Sequence, residues 1–258
     1  MYLPSVRIDG RALDDPRPTS IVPGFTTQAL GSVLIATGRT RVICTASLEP
    51  RPPAWLERGG WVTAEYAMLP GSTSPRADRH PGGRAKEIQR LIGRSLRASV
   101  DLRKLIGAAG PVSLVCDCDV IEADGGTRTA SITGAWVALQ LAIRKLIAQE
   151  RISEDPSLGQ VAATSVGVVQ LEGESPVPML DLCYREDSRA HVDLNVVMRS
   201  EGVMRSEGAG ALGLIEVQGT GERSTFSRAE LDAMLDLAER GIRDAFEVQR
   251  RALAEVGG

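Results

Sequence analysis

Apolar and polar positions alternate along the chain in two rounds of strands followed by helices. Residues 31–37 and 41–48 are β-rich runs joined by Gly38-Arg39-Thr40, a pattern that predicts a hairpin. Residues 61–66 form a third strand. From 69 to 83 the sequence is Gly, Ser, Pro, Arg and Asp with almost nothing apolar, the composition of an exposed loop. A helix is expected over about 86–105, where Ile88, Leu91, Ile92, Ser95, Ala98, Leu102 and Leu105 recur at spacings of three and four. Its other face carries Lys86, Arg90, Arg94, Arg97 and Lys104, interrupted by Asp101. Residues 112–120 alternate, with Leu114, Cys116, Cys118 and Val120 on one side and Val115, Asp117 and Asp119 on the other.

After the break Asp124-Gly125-Gly126, a helix is expected over 127–148. Between Ala130 and Ile143 it is apolar or small on nearly every side, as in a helix sandwiched between layers. Strands follow at 161–170, 179–184, 192–198 and 214–218. A last helix over 227–256 opens on Ser227-Arg228-Ala229-Glu230, which has the form of a capping box. This order predicts an α+β chain whose halves, about 1–150 and 151–258, share a layout and pack as layers. No linker separates them, so 1–258 reads as one integrated unit. Met198-Arg199-Ser200-Glu201-Gly202 recurs as Met204-Arg205-Ser206-Glu207-Gly208, a polar repeat that reads as an extended hairpin loop.

The 258 residues, 43% of them hydrophobic and 24% charged, suffice for one large core or two small ones. That excludes a mini-protein, a disordered chain and a coiled coil. No apolar run of membrane-spanning length occurs, and the amino terminus lacks signal-peptide regions. A soluble, cytoplasmic protein with no membrane partner is expected. Cys44, Cys116, Cys118 and Cys183 lie in apolar runs without paired spacing, so reduced, buried thiols are expected rather than disulfides or metal ligands. Aromatic residues make up 3%, too few for a broad base-stacking platform. The net charge is −3, yet residues 76–104 hold nine basic and three acidic side chains, which leaves −9 for the rest. A basic zone on an acidic protein suggests a confined polyanion site.

Three local signals carry chemistry. Asp124-Gly125-Gly126-Thr127-Arg128-Thr129 combines helix-start amides, glycines, hydroxyls and a guanidinium, which together suit an oxyanion; an ordinary Gly-rich turn is the alternative. Asp181, Asp187 and Asp193 recur every six residues, about 20 Å apart along a straight strand, so they converge only if the chain turns. A hairpin of residues 179–184 with 192–198 would bring Asp187 and Asp193 together, a pair suited to Mg²⁺; a solvated acidic loop is the alternative. Arg76, Arg79 and Arg84 form the third signal, read either as anion ligands or as part of a solvated charged surface.

The chain resembles the ribonuclease PH family of phosphate-dependent 3′-exoribonucleases over almost its whole length. The resemblance is carried by Asp9-Gly10-Arg11 with Arg17-Pro18, Gly31-Ser32-Val33-Leu34, Gly60-Trp61-Val62-Thr63-Ala64-Glu65-Tyr66-Ala67-Met68-Leu69-Pro70 and Glu87-Ile88-Gln89-Arg90-Leu91-Ile92-Gly93-Arg94. It continues through Asp117-Cys118-Asp119-Val120, Ala123-Asp124-Gly125-Gly126-Thr127-Arg128-Thr129-Ala130-Ser131-Ile132-Thr133-Gly134, Glu186-Asp187-Ser188, Val192-Asp193-Leu194-Asn195-Val196-Val197-Met198 and Glu216-Val217-Gln218-Gly219-Thr220. Departures are Gly71, where some members carry Arg, a shortened stretch between Arg79 and Arg84, His191 in place of Glu, and the repeat at 198–208.

The resemblance implies two pseudo-symmetric β/α halves in layers, of the ribosomal protein S5 domain 2 type, and a homohexameric ring built as a trimer of dimers. It implies that Arg84, Gly126, Thr127 and Arg128 hold inorganic phosphate, the co-substrate. Asp187 and Asp193 would serve catalysis and hold a divalent metal, Mg²⁺ or Mn²⁺. Arg76 and Arg79 would handle RNA near a subunit interface. The implied activity is phosphorolytic trimming of RNA 3′ ends, above all of transfer RNA precursors, with release of nucleoside 5′-diphosphates. Two rivals are a small-molecule kinase, which lacks G-x-x-x-x-G-K-[ST], and an inactive RNA-binding ring subunit of an exosome-like complex, which would lose the arginines or aspartates kept here.

Overall fold

The structure, a computed structural model, describes residues 7–49, 53–56, 58–80, 82–173, 175–201 and 210–256. Strands β1 (Thr19–Pro23), β2 (Gly31–Thr37), β3 (Thr40–Leu48) and β4 (Trp61–Met68) precede helix α1 (Gly83–Arg97). The short ribbon β5 (Ile106–Gly107) and β6 (Gly110–Pro111) leads into β7 (Ser113–Glu122) and α2 (Thr127–Ala148). Then come β8 (Val161–Val169), β9 (Val177–Leu180), the single turn α3 (Tyr184–Asp187), β10 (Val192–Ser200), β11 (Leu212–Gly221) and α4 (Arg228–Glu255).

The first sheet has the order β1-β2-β3-β7-β4, with β4 parallel to β7 and the other pairs antiparallel. The second is antiparallel in the order β11-β10-β8-β9. Between them runs α2, packed on β2 and β3 on one side and β8 on the other. Every residue from Thr129 to Ile143 is buried, which is why this helix shows no polar face. By length and composition it could cross a membrane, but here it is the core helix of the fold. One apolar cluster takes in Trp136, Ile35 and Leu114 together with Val161, Val197 and Leu253, so both halves share a core.

The expected hairpin is present, with Thr37 paired to Thr40 across Gly38 and Arg39. The capping box of α4 is made: the Ser227 amide donates to Glu230 Oε2 at 2.6 Å, and the Glu230 amide donates to Ser227 Oγ at 3.2 Å. All four cysteines are buried and free, and burial pushes the Cys44 and Cys116 thiols well above their usual range.

Two expectations are corrected, one strand appears that was not expected, and one reading lies mostly outside the described residues. The helix expected to reach residue 105 ends at Arg97, because Ser95 and Ser99 hydroxyls donate back to the Leu91 and Leu96 carbonyls and Asp101 caps a separate short turn. Lys104 therefore leaves the cationic helix face. A short edge strand, β1, precedes the first expected one; only Ile21 in it is buried, which left no alternation to read. The strand expected over 179–184 stops at Leu180, and it is not a hairpin partner of β10, since β8 lies between them. The polar repeat falls mostly outside the described residues; Met198 to Ser200 end β10, which pairs with β11.

Candidate functional site

The site forms where β7 ends and α2 begins. Gly125 has φ +78° and Gly126, the N-cap of α2, has φ +66°, backbone that strains any residue bearing a Cβ. At Gly125 space demands glycine as well, because a Cβ would lie 2.6 Å from the Leu182 carbonyl oxygen. The turn thus packs directly on the segment leading into α3, and the Tyr184 amide donates to the Asp124 carbonyl at 3.1 Å. No side chain caps α2, so its first-turn amides and the positive end of its dipole are left for an external anion.

The carbonyls of the turn face the other way and are held there. Arg17 Nη1 donates to the Asp124 carbonyl at 2.5 Å, and the Thr40 hydroxyl donates to the Gly125 carbonyl at 2.6 Å. Asp181 grips Arg17 in turn, at 2.7 Å through Nη2 and 2.9 Å through Nε. Burial works against the Arg17 charge, but the bonds and charge of Asp181 offset it and raise its pKa. Asp181 therefore leaves the acidic trio read from the sequence and serves the turn.

Asp187 closes α3 and Asp193 lies near the start of β10. A buried clamp fixes the first: Arg7 donates to Glu186 at 3.0 and 2.8 Å, and Glu186 accepts from the Cys183 amide at 3.1 Å. Burial raises the pKa of Asp187, opposed by the positive charges of Arg84 and Arg128. Burial and then the charge of Asp187 push Asp193 up to about 6. The charge of Asp187 thus acts on Asp193, although no hairpin of residues 179–184 with 192–198 joins them. Glu222, which sequence reasoning missed, adds negative charge at both.

Cations line the opposite wall. Arg84 stands in the first turn of α1 and Arg128 in that of α2. Between them the Tyr66 and Thr127 hydroxyls are hydrogen-bonded at 2.9 Å. Burial raises the Tyr66 pKa, while the charges of Arg84 and Arg128 lower it. On β11, Glu216, Gln218 and Thr220 alternate onto one face, and Thr220 and Gln218 pair across the ladder with Asp193 and Asn195. From that face Gln218 accepts from Arg128 Nη1 at 2.6 Å and donates to Glu87 at 2.6 Å, while Glu216 takes Arg94 at 2.7 and 2.9 Å. The structure thus brings together Arg84, Gly126, Thr127, Arg128, Asp187 and Asp193. Arg76 and Arg79 remain on the exposed loop before α1, each without an ion-pair partner among the described residues.

The chemistry of the acidic wall fits a divalent cation. Asp187 and Asp193 are partly buried carboxylates whose negative charges oppose each other, the condition a cation relieves. Among the described residues no group of three His, Cys, Asp or Glu side chains forms a closed cage. Two hard oxygen donors suit Mg²⁺, which keeps water and substrate oxygens in its remaining positions.

Comparison with known proteins identifies the family and the fold. The model of the 3′ exoribonuclease family, domain 1, matches residues 15–144, and that of domain 2 matches 159–241. The chain is 49% identical over 258 residues to Ribonuclease PH of Bacillus pumilus, covering 97% of this chain and 99% of that one. It is 49% identical over 257 residues to Ribonuclease PH of Corynebacterium kroppenstedtii, covering 97% and 94%. Among solved structures, the Archaeoglobus fulgidus exosome with RNA bound to the active site superposes with a TM-score of 0.73 at 22% identity, covering 94% and 93%. Rice Rrp46 gives 0.70 at 20% identity, covering 96% and 100%.

Proposed function

The chain belongs to the 3′ exoribonuclease family, and we propose that its phosphorolytic chemistry is carried by the cations around the first turn of α2 and the two carboxylates facing them. It is a ribonuclease PH-type exoribonuclease: phosphate attacks the phosphorus of the last phosphodiester, and the bond to the departing 3′ oxygen breaks. The products are a nucleoside 5′-diphosphate and an RNA one nucleotide shorter. The observation that carries the residue assignment is that Arg128, in the first turn of α2, bonds Gln218 on β11, two residues from Thr220, the ladder partner of Asp193.

Two anions must meet, so their repulsion has to be overcome first. Arg84, Arg128 and the α2 amides neutralise the attacking phosphate and hold it in line, which converts encounter into orientation. Gln218 orients Arg128, and Tyr66 orients the Thr127 hydroxyl. Asp187 and Asp193 would hold Mg²⁺ or Mn²⁺, which supplies positive charge to the scissile phosphate. One of the two aspartates would also relay a proton to the departing 3′ oxygen. Arg76 and Arg79 reach toward the RNA backbone from their loop.

The finer reading is a cytoplasmic homohexamer, a trimer of dimers, acting on transfer RNA precursors. Near-full-length identity to two proteins named Ribonuclease PH supports it. The test is to incubate a 3′-extended transfer RNA with phosphate and Mg²⁺, then with excess nucleoside diphosphate. The extension should shorten in the first case and lengthen in the second. A protein that degrades an unstructured oligomer but leaves the extended transfer RNA intact would contradict the substrate assignment.

A further inference from the structure

Far from the phosphate site, a second feature of α1 and β4 has no part in the reaction just described. The two elements run antiparallel: Gln89 bonds Glu65, Gly93 packs on Thr63 and Ala64, and Arg97 reaches Trp61. Arg84 and Arg97 therefore lie about 20 Å apart, at opposite ends of α1. At the far end the Arg97 guanidinium sits 4.4 Å over the Trp61 ring and donates to the Val62 carbonyl at 2.9 Å, which fixes both side chains. Trp55 packs on Trp61 with ring centroids 4.7 Å apart and planes at 89°, yet it is 62% exposed, the most exposed large hydrophobic side chain among the described residues.

The way from the phosphate site to this pair is cationic. Lys86, Arg90 and Arg97 follow one another along a single face of α1, and Lys86 and Arg90 are exposed without a hydrogen-bond or ion-pair partner among the described residues. The acidic neighbours Glu65 and Glu87 are occupied by Gln89 and Gln218. The Gly60 amide donates to the Leu102 carbonyl, so Arg103, exposed but paired with Asp101 at 2.8 Å, lies beside the base of the Trp55 segment and adds no free charge to the track.

We propose that Trp55, seated on the Trp61 ring that Arg97 holds, stacks against a base of the RNA strand several nucleotides upstream of the scissile bond, with Lys86 and Arg90 tracking the backbone between. An exposed aromatic at the end of a cationic track is the arrangement that holds single-stranded nucleic acid without reading its sequence. The low aromatic content that excludes a broad platform is compatible with one such contact. The proposal rests on the RNA substrate assigned above and adds a subsite to it.

The experiment compares Trp55→Ala, Trp55→Phe and the unaltered protein for binding to oligoadenylates of increasing length without phosphate, alongside phosphorolysis of a very short oligomer. Trp55→Ala should bind long oligomers roughly 5- to 100-fold more weakly, the range for losing one stacked base. It should match the parent on the shortest ones, and Trp55→Phe should recover most of the loss. Normal phosphorolysis of the short oligomer shows the catalytic site intact, whereas its failure in the unaltered protein would strike the activity itself. Equal loss at every length, or no loss, overturns the subsite. A fall in subunit assembly by sedimentation that accounts for the weaker binding makes Trp55 a contact between copies and overturns it too.

Discussion

Arg17 and Asp181 form a bidentate ion pair with both side chains buried, Nη2 to Oδ1 at 2.7 Å and Nε to Oδ2 at 2.9 Å. The pair is separated by 164 positions in the chain, yet it sets the orientation of the phosphate turn, because the same guanidinium bonds the Asp124 carbonyl. Removing Arg17 alone leaves the buried carboxylate with only Arg11, 3.8 Å away, a loss of at most about 3–5 kcal/mol. Arg17→Ala should accordingly lower the denaturation midpoint and raise the phosphate requirement. The double variant Arg17→Met with Asp181→Asn, a residue that tolerates φ +50° and keeps an oxygen for the backbone amide at position 17, should regain part of the stability but not phosphate affinity, since the turn still lacks its donor. Recovery of both would mean that the turn keeps its shape unaided.

The two arginine sets should separate in kinetics. Arg84→Ala or Arg128→Ala should raise the phosphate concentration needed for half-maximal rate by about ten- to a hundredfold on every RNA, the effect of losing one charge-assisted contact. Arg76→Ala with Arg79→Ala should weaken binding of long or folded RNA and flatten its salt dependence, with the phosphate requirement unchanged. A shift in the phosphate constant alone would assign the loop to the phosphate site instead.

Asp193 gives a prediction that needs no turnover. Burial and the charge of Asp187 hold it at about 6, above its ordinary 3.8. A carboxyl raised in this way contributes its stability fully below about pH 4 and loses it as pH rises through about 6. In chelator at pH 8, Asp193→Asn should therefore be the more stable protein, by up to about 3 kcal/mol, and the difference should vanish below pH 4. Mg²⁺ should raise the melting temperature of the parent at pH 8 and leave the variant nearly unmoved. Equal responses of both proteins to Mg²⁺ would remove Asp193 from the metal site.

What the sequence disclosed depended on how local the signal was. Strands β2, β3 and β7 carry alternation and turn residues within a few positions, and α2 carries its burial in its own composition. Leu102 and Leu105 keep a helical spacing past the true end of α1, because periodicity does not register serines bonding back to the helix or the cap at Asp101. The turn at Gly125 was legible as a motif, but its supports were not. Arg7 with Glu186 and Arg17 with Asp181 are joined only by folding, across 179 and 164 positions, and no spacing rule links them. Glu222 and Gln218 act because β11 returns beside β10, a relation fixed by sheet register rather than by their neighbours in the chain.

Phosphate, not water, is the attacking group assigned to the α2 turn. Supplying orthophosphate labelled on phosphorus to the enzyme and a 3′-terminal RNA traces that atom directly. Phosphorolysis sends the label into the β-phosphate of the released nucleoside diphosphate, one label per nucleotide, with no release when phosphate is withheld. Unlabelled nucleoside monophosphates appearing at the same rate with or without phosphate would make the enzyme a hydrolase and contradict the account.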